Sequence, residues 1–282
     1  MARGVAVNML GPIEVRIDGR SLGPADFGGR KQKLVLEILL VHRGQPVAKE
    51  RIAELLWGEH RPRDPMRTLE AYVSGLRAHL GADAAALIRR EPMAYRADLS
   101  AIDLDCAVFD RLVARADREP PHRRLEMRRA ALNIVRDELL ADEPYATWAE
   151  PLRAVYAERL VTLTLDLAED CAMFGDPEEA AQLAERVLAE HPVRERAYRT
   201  LMIARYAGGE QDLALDAFRR CRTALAEELG TSPLPETQRV HLAVLRQEPV
   251  ETITPRRAGA RPRARHHGPG SPSAATRRSP TR

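Results

Sequence analysis

Two arginines, Arg67 and Arg77, stand among the short side chains of Ala71, Ser74, Gly75 and Ala78, with Thr68 and Glu70 between them. A guanidinium donates a rigid fork of hydrogen bonds that fits phosphate oxygens and the acceptor edge of guanine. Small neighbours let a helix come close to base edges. Further along, Arg89 and Arg90 place the same donors side by side. For either helix arginine alone, a solvated charge on an exposed face explains the pattern equally well. The second pair, on a following hairpin that can reach a minor groove or backbone, tips the reading toward nucleic acid.

Covalent and metal chemistry find no matching pattern. The chain holds no GxxxxGK[ST] phosphate loop, no HExxH and no GxSxG. Gly28-Gly29-Arg30-Lys31 precedes a helical run but lacks the strand-to-helix spacing and the Ser or Thr that a nucleotide loop uses. Cys106, Cys171 and Cys221 lie far apart in helical patterns and read as small core residues. His266-His267 is too short a run to argue for metal. No catalytic residue, metal ligand or cofactor is expected.

Charge is distributed unevenly over the 282 residues, whose formal net charge is +3. Residues 1–100 carry 16 Lys and Arg against 12 Asp and Glu, residues 101–254 carry 20 against 29, and residues 255–282 carry 8 against none. Basic ends suit a polyanion, and an acidic middle is better suited to contacting protein. No stretch approaches the roughly 18 uncharged apolar residues of a membrane span, and the N-terminus lacks a leader-like pattern, so a cytoplasmic protein without membrane contact is expected.

The elements that must position these arginines follow from periodicity. Residues 5–22 alternate in short β-like runs broken at Gly11-Pro12 and Asp18-Gly19, which predicts a small antiparallel sheet. Residues 30–43, dense in Leu, Ile and Val, predict a helix stopped by Gly44. A second helix is expected over 48–57, with Ile52, Leu55 and Leu56 buried and Trp57 closing its end, followed by a loop over 58–65. Asp64-Pro65 then opens a third helix that runs to Leu80. Leu69, Val73, Leu76 and Leu80 recur at helical spacing, so Arg67, Ala71, Ser74 and Ala78 face the other way. Residues 86–99 predict two short strands, LIRR and AYRA, around Glu91-Pro92-Met93.

From Asp103 to about Gln247 every segment reads as helix, broken at prolines and glycines. Gly175 and Gly209, and likewise Ala180 and Ala214, are 34 residues apart, the tetratricopeptide period, and Tyr198 and Phe218 are expected to fill gaps between paired helices. Residues 249–282 offer nothing larger than alanine to a core after Ile253 and are expected to be a disordered basic tail.

The fold class expected is therefore mainly α. A winged helix-turn-helix with a small sheet and a wing hairpin (1–100) precedes an all-α tetratricopeptide-like domain (101–248), with the third helix entering the major groove. The stretch 9–98, with LGPIEVRIDGR, GGRKQKLVLEILL, LLWG, RTLEAYVSGLRAHLG and IRREPMAYRA, resembles the OmpR-type winged helix of the Streptomyces antibiotic regulatory protein family. The segments FDRLVARA and AERVLAEHPVRERAYRTLMIARYAGGEQDLALDAFRRCRTALAEELGTSP look like that family's bacterial transcriptional activation domain.

The resemblance implies activation of secondary-metabolite genes, with protomers pairing on direct repeats of double-stranded promoter DNA and touching RNA polymerase. It puts Arg67, Thr68, Ala71, Ser74, Gly75 and Arg77 of the helix and Arg89 and Arg90 of the wing against DNA. It makes the loop from Trp57 to Asp64, with Glu59, His60, Arg61 and Arg63, the polymerase-contacting segment. Two positions depart from the family pattern. Gly75 removes a possible base contact, and Ala94 stands where a glycine normally turns the wing. Both leave open an alternative, a helical-repeat adaptor whose winged helix contacts protein instead of DNA.

Overall fold

The computed structural model describes residues 4–81 and 85–253. At the N-terminus, β1 (Val5–Asn8), β2 (Glu14–Ile17) and β3 (Arg20–Leu22) form the expected antiparallel meander. Its second turn is made by Asp18 (φ 46°) and Gly19 (φ 87°), the pair of left-handed residues that a tight hairpin uses. The remaining edge differs from expectation, because β7 (Ile102–Leu104) adds to β1 in parallel, in the order β3-β2-β1-β7. A strand this short has no periodicity of its own and is defined only by its neighbour.

Between these outer strands, α1 (Arg30–Val41), β4 (Val47–Ala48), α2 (Lys49–Trp57), α3 (Pro65–Leu80), β5 (Ile88–Glu91) and β6 (Ala94–Ala97) build the winged helix, with the wing sheet in the order β4-β6-β5. Every residue of α1 from Lys33 to Leu40 is buried, so this helix forms the middle of the core. It ends at Val41, and the chain turns through Arg43 (φ 51°) before reaching Gly44. In α2 the buried stripe is Ile52, Ala53 and Leu56, while Leu55 and Trp57 are half-buried.

The C-terminal part comprises α4 (Asp105–Ala116), α5 (Pro121–Ile134), α6 (Glu150–Phe174), α7 (Pro177–Glu190), α8 (Glu195–Ala207), α9 (Gln211–Leu229), α10 (Pro235–Leu245) and α11 (Val250–Ile253). The helix starts of α7 and α9 keep the 34-residue offset, and Ala180 and Ala214, one on each, are fully buried where helices approach closely. Tyr198 is buried as expected; Phe218 is half-buried and stacks on His241, with centroids 3.8 Å apart. Cys106, Cys171 and Cys221 are buried free thiols, and burial pushes Cys171 and Cys221 up to about 12.

Two expectations need correction. Residues 135–149 are not helical. Leu139 bridges Leu10 and Gly11, and the Arg153 guanidinium donates to the carbonyls of Leu139, Leu140, Glu143 and Pro144. Long-range satisfaction of backbone groups thus replaces the helical ladder. The basic tail was expected from 249, yet Val250–Ile253 is helical with Ile253 buried; the remainder lies outside the described residues. Asp105 also ties the two parts together, its Oδ2 accepting the N–H groups of Met9 and Leu10 at 2.7 Å. One apolar core consequently runs from Val5 through α3 to Leu104, Phe109, Leu140 and Tyr156.

Candidate DNA-binding interface

The Asp64 Oδ1 accepts the N–H of Arg67 at 3.0 Å and Pro65 occupies the first turn, so α3 starts where the sequence places it. Leu69, Val73, Leu76 and Leu80 are all buried, and Arg67, Ala71, Ser74 and Ala78 are all exposed. The helix is held from behind by apolar packing on α1 and α2 and presents a face of small residues with one arginine at its N-terminal end. Such a face has room to approach base edges.

The flanking residues are less free than their types suggest. Thr68 donates its hydroxyl to the Asp64 carbonyl at 2.8 Å, serving the helix's own first turn. Arg77 is half-buried and donates to the Ile88 carbonyl at 2.6 Å, which braces α3 against the wing. Arg89 pairs with Asp98, whose carboxyl is held down at about 2 by hydrogen bonds from Ser100 and by Arg89. Arg90 pairs with Glu70 on α3 at 3.3 Å. Periodicity also missed two neighbouring cations. Lys49 binds Glu70 at 2.5 Å, and Arg96 binds Glu91 at 2.6 Å. A Lys opening a helix and an Arg inside a strand carry no spacing signal, and only the folded wing brings them to this rim.

The two departures from the family pattern sit differently in the fold. A Cβ on Gly75 would lie 2.9 Å from the side-chain amide nitrogen of Gln32 on the first turn of α1, so this position faces α1 and not the DNA-facing side to which the resemblance assigns it, and a larger residue would need only that flexible amide to swing aside. The wing's left-handed residue is Met93 (φ 57°), not Ala94, which sits in β6. Pro92-Met93 forms a two-residue turn, so the expected difficulty at Ala94 does not arise. Met93 also accepts the Lys49 backbone N–H at 2.9 Å, fixing the wing to the start of α2.

Between α2 and α3, Trp57 is half-buried against Tyr72, with ring centroids 6.0 Å apart. Glu59, His60, Arg61 and Arg63 are exposed, and Arg61 lies 3.6 Å from Glu50. One end of this loop is therefore anchored and its polar side chains face solvent, beside the exposed face of α3. Among the described residues no helix is long and apolar enough to cross a membrane, and no cluster of His, Cys, Asp and Glu could hold a metal ion.

Two family descriptions match the chain, "Transcriptional regulatory protein, C terminal" over residues 28–95 and "Bacterial transcriptional activator domain" over residues 104–245. The transcriptional regulatory protein MoaR1 of Mycobacterium tuberculosis is 30% identical over 266 residues, which cover 90% of this chain and 84% of MoaR1. The transcriptional regulator RedD of Streptomyces coelicolor is 28% identical, over 87% of this chain and 72% of RedD. Among solved structures, Mycobacterium tuberculosis EmbR in complex with a low affinity phosphopeptide matches with a TM-score of 0.80 and 28% identity, covering 90% of this chain and 69% of that one. With its winged helix, its helical repeats and these relatives, the chain belongs to the Streptomyces antibiotic regulatory protein family of DNA-binding transcriptional activators, an OmpR-type winged helix joined to a bacterial transcriptional activator domain.

Proposed function

We propose that this protein activates a pathway-specific set of secondary-metabolite genes in the cytoplasm, at the nucleoid, by binding direct repeats beside their promoters as paired protomers and holding RNA polymerase there. Residues 1–100 supply the DNA contacts, residues 101–248 the protein contacts, and the basic segment over residues 255–282 adds attraction to phosphate that weakens with salt. In this reading α3 lies in the major groove. Arg67, Ala71 and Ser74 approach the bases, Thr68 and Arg77 fix the helix and reach the backbone, and Arg89 and Arg90 follow the adjacent minor groove. Trp57 anchors the polymerase-facing loop, and Glu59, His60, Arg61 and Arg63 touch polymerase.

The observation that carries the proposal is the exposure of Arg67, Ala71, Ser74 and Ala78 opposite a fully buried leucine and valine stripe. A winged helix enters the major groove with a rigid, accessible helix face of this kind. The test is a footprint of the full chain upstream of candidate genes, followed by titration of promoter repeats and random duplex at two salt concentrations. Wild-type protein should protect paired repeats and prefer them strongly over random duplex. Arg67→Ala should weaken promoter binding about tenfold or more while leaving thermal unfolding unchanged. Equal affinity for both duplexes would overturn the proposal in favour of a protein-binding adaptor.

A further inference from the structure

The two flanks of α3 are equipped differently. Toward the wing, Arg77 braces the helix and Arg89 and Arg90 follow. Toward α1, Thr68, Gly75 and His79 recur at helical spacing along one edge. The Thr68 hydroxyl donates to the Asp64 carbonyl, Gly75 has no side chain, and the His79 ring nitrogen Nδ1 lies 2.8 Å from the Gly75 carbonyl. Lys31 of α1 donates its ammonium to the Leu56 carbonyl. Beside Gly75 the edge is covered by the Gln32 side chain, which reaches in from the first turn of α1. A Cβ on Gly29 would lie 2.8 Å from its Oε1, and a Cβ on Gly75 would lie 2.9 Å from its Nε2. The amide thus rests between two glycines, its oxygen toward the start of α1 and its NH2 group toward α3. It is half-exposed, and among the described residues it has no hydrogen-bond partner. Ala71 and Ala78, one turn to either side of Gly75, are exposed, so this seam borders the open face of the helix.

We propose that Gln32 is a further DNA-contacting residue, whose amide donates to a backbone phosphate on the flank away from the wing and fixes how deeply α3 sits. The inference rests on the DNA-binding reading above. A helix seated in the major groove has a phosphate strand along each side. Guanidinium groups meet the strand next to the wing, and the Gln32 NH2 group is the donor held toward the other. A donor that loses its water on docking needs an acceptor, and a phosphate oxygen supplies one in a charge-assisted hydrogen bond. The amide is uncharged, so it draws no phosphate from a distance and displaces no counterion. Its bond forms when α3 reaches full depth, where the helix face matches the bases, and it therefore adds more affinity at promoter repeats than on random duplex. The missing side chain at position 75 is part of this arrangement, because a Cβ there would take the space in which the amide rests.

The test uses the full chain with Gln32→Ala, Gln32→Glu, Gly75→Ala and the Gln32→Ala/Gly75→Ala double variant, titrated by fluorescence anisotropy against promoter-repeat and random duplexes over a salt series, with melting curves to report the fold. Gln32→Ala should weaken promoter binding about fivefold, leave random duplex within about twofold, and leave the salt slope and thermal unfolding unchanged. Gln32→Glu should weaken promoter binding further, because a carboxylate repels phosphate. Gly75→Ala should displace the amide and lose as much as Gln32→Ala, with no added loss in the double variant. A scan of promoter duplexes carrying single methylphosphonates should find a position that weakens wild type and not Gln32→Ala. Unchanged promoter affinity of Gln32→Ala, an equal loss on both duplexes, a Gly75→Ala loss that persists without Gln32, or no such methylphosphonate position would each overturn the proposal. Should Gly75→Ala fail to fold, the two Gln32 variants and the scan decide alone. Wild-type protein with no promoter preference would remove the DNA-binding reading and this inference together. A wild-type preference that Gln32→Ala retains in full removes only the inference.

Discussion

Charged side chains are clustered in two places that use the same chemistry to opposite ends. On the wing rim, Arg89, Arg90 and Arg96 pair with Asp98, Glu70 and Glu91 where solvent reaches the arginines. At the back of the winged helix, α1 contributes Arg30, Lys33 and Glu37 to a cluster closed by Asp142 and Glu143 of the non-helical segment, with Arg153 clamping that segment's carbonyls. Lys33, Glu37, Glu143 and Arg153 are all buried. Water makes the difference. A pair that water can replace is cheap to open, whereas a buried pair leaves an uncompensated charge when broken and serves as a fixed joint.

The strongest way to break this comparison is Arg153→Ala. The change strips donors from the carbonyls of Leu139, Leu140, Glu143 and Pro144 in a buried site. Unfolding by urea should show a loss of about 3 kcal/mol, with promoter binding falling only in step with the folded fraction. A loss no larger than that of a surface pair would mean that the back of the domain is no joint.

The pH dependence of stability sharpens the contrast at Glu37. Burial raises its carboxyl to about 8, and Lys33 Nζ, at 3.6 Å, offsets this only in part. The folded state therefore retains a proton that the unfolded chain, with its ordinary value near 4.5, gives up. This group's contribution is fully present below about 4.5 and is lost as pH rises toward 8. Glu37→Gln removes the titration, so its stability relative to wild type should climb by about 2 kcal/mol between pH 5 and pH 8 in paired denaturation curves. A difference that stays flat across that range would place the charge elsewhere.

The smallest stability effect is expected in the exposed loop between α2 and α3. Arg61→Ala breaks only the exposed 3.6 Å pair with Glu50 and should cost less than about 0.5 kcal/mol. Promoter affinity should stay the same while transcription from a reconstituted promoter falls. Unchanged transcription would remove Arg61 from the polymerase contact.

Much of α3 was legible because its causes are local. The Asp64 cap, the Pro65 start and the Leu69, Val73, Leu76 and Leu80 stripe appear in the structure as periodicity predicts. The 34-residue offset also survives as paired helix starts. Illegible parts depend on partners distant in sequence. The strand Ile102–Leu104 exists because β1 offers an edge, and residues 135–149 leave the helical pattern because Leu10 and Arg153 satisfy their backbone. Gly75 reads from sequence as a lost base contact, whereas the fold places Gln32 of α1 beside it.

By itself, then, the sequence determined which helix offers a small-residue face, where that helix begins, and that helical repeats follow, since caps and 3.6-residue stripes act within one or two turns. Only the tertiary structure decided which cations stand against which carboxylates. Glu70 receives Arg90 from 20 residues away, and Lys33 reaches Asp142 across 109. Charge pairing depends on distance in space and on the surrounding dielectric, and the order of residues along a chain encodes neither directly.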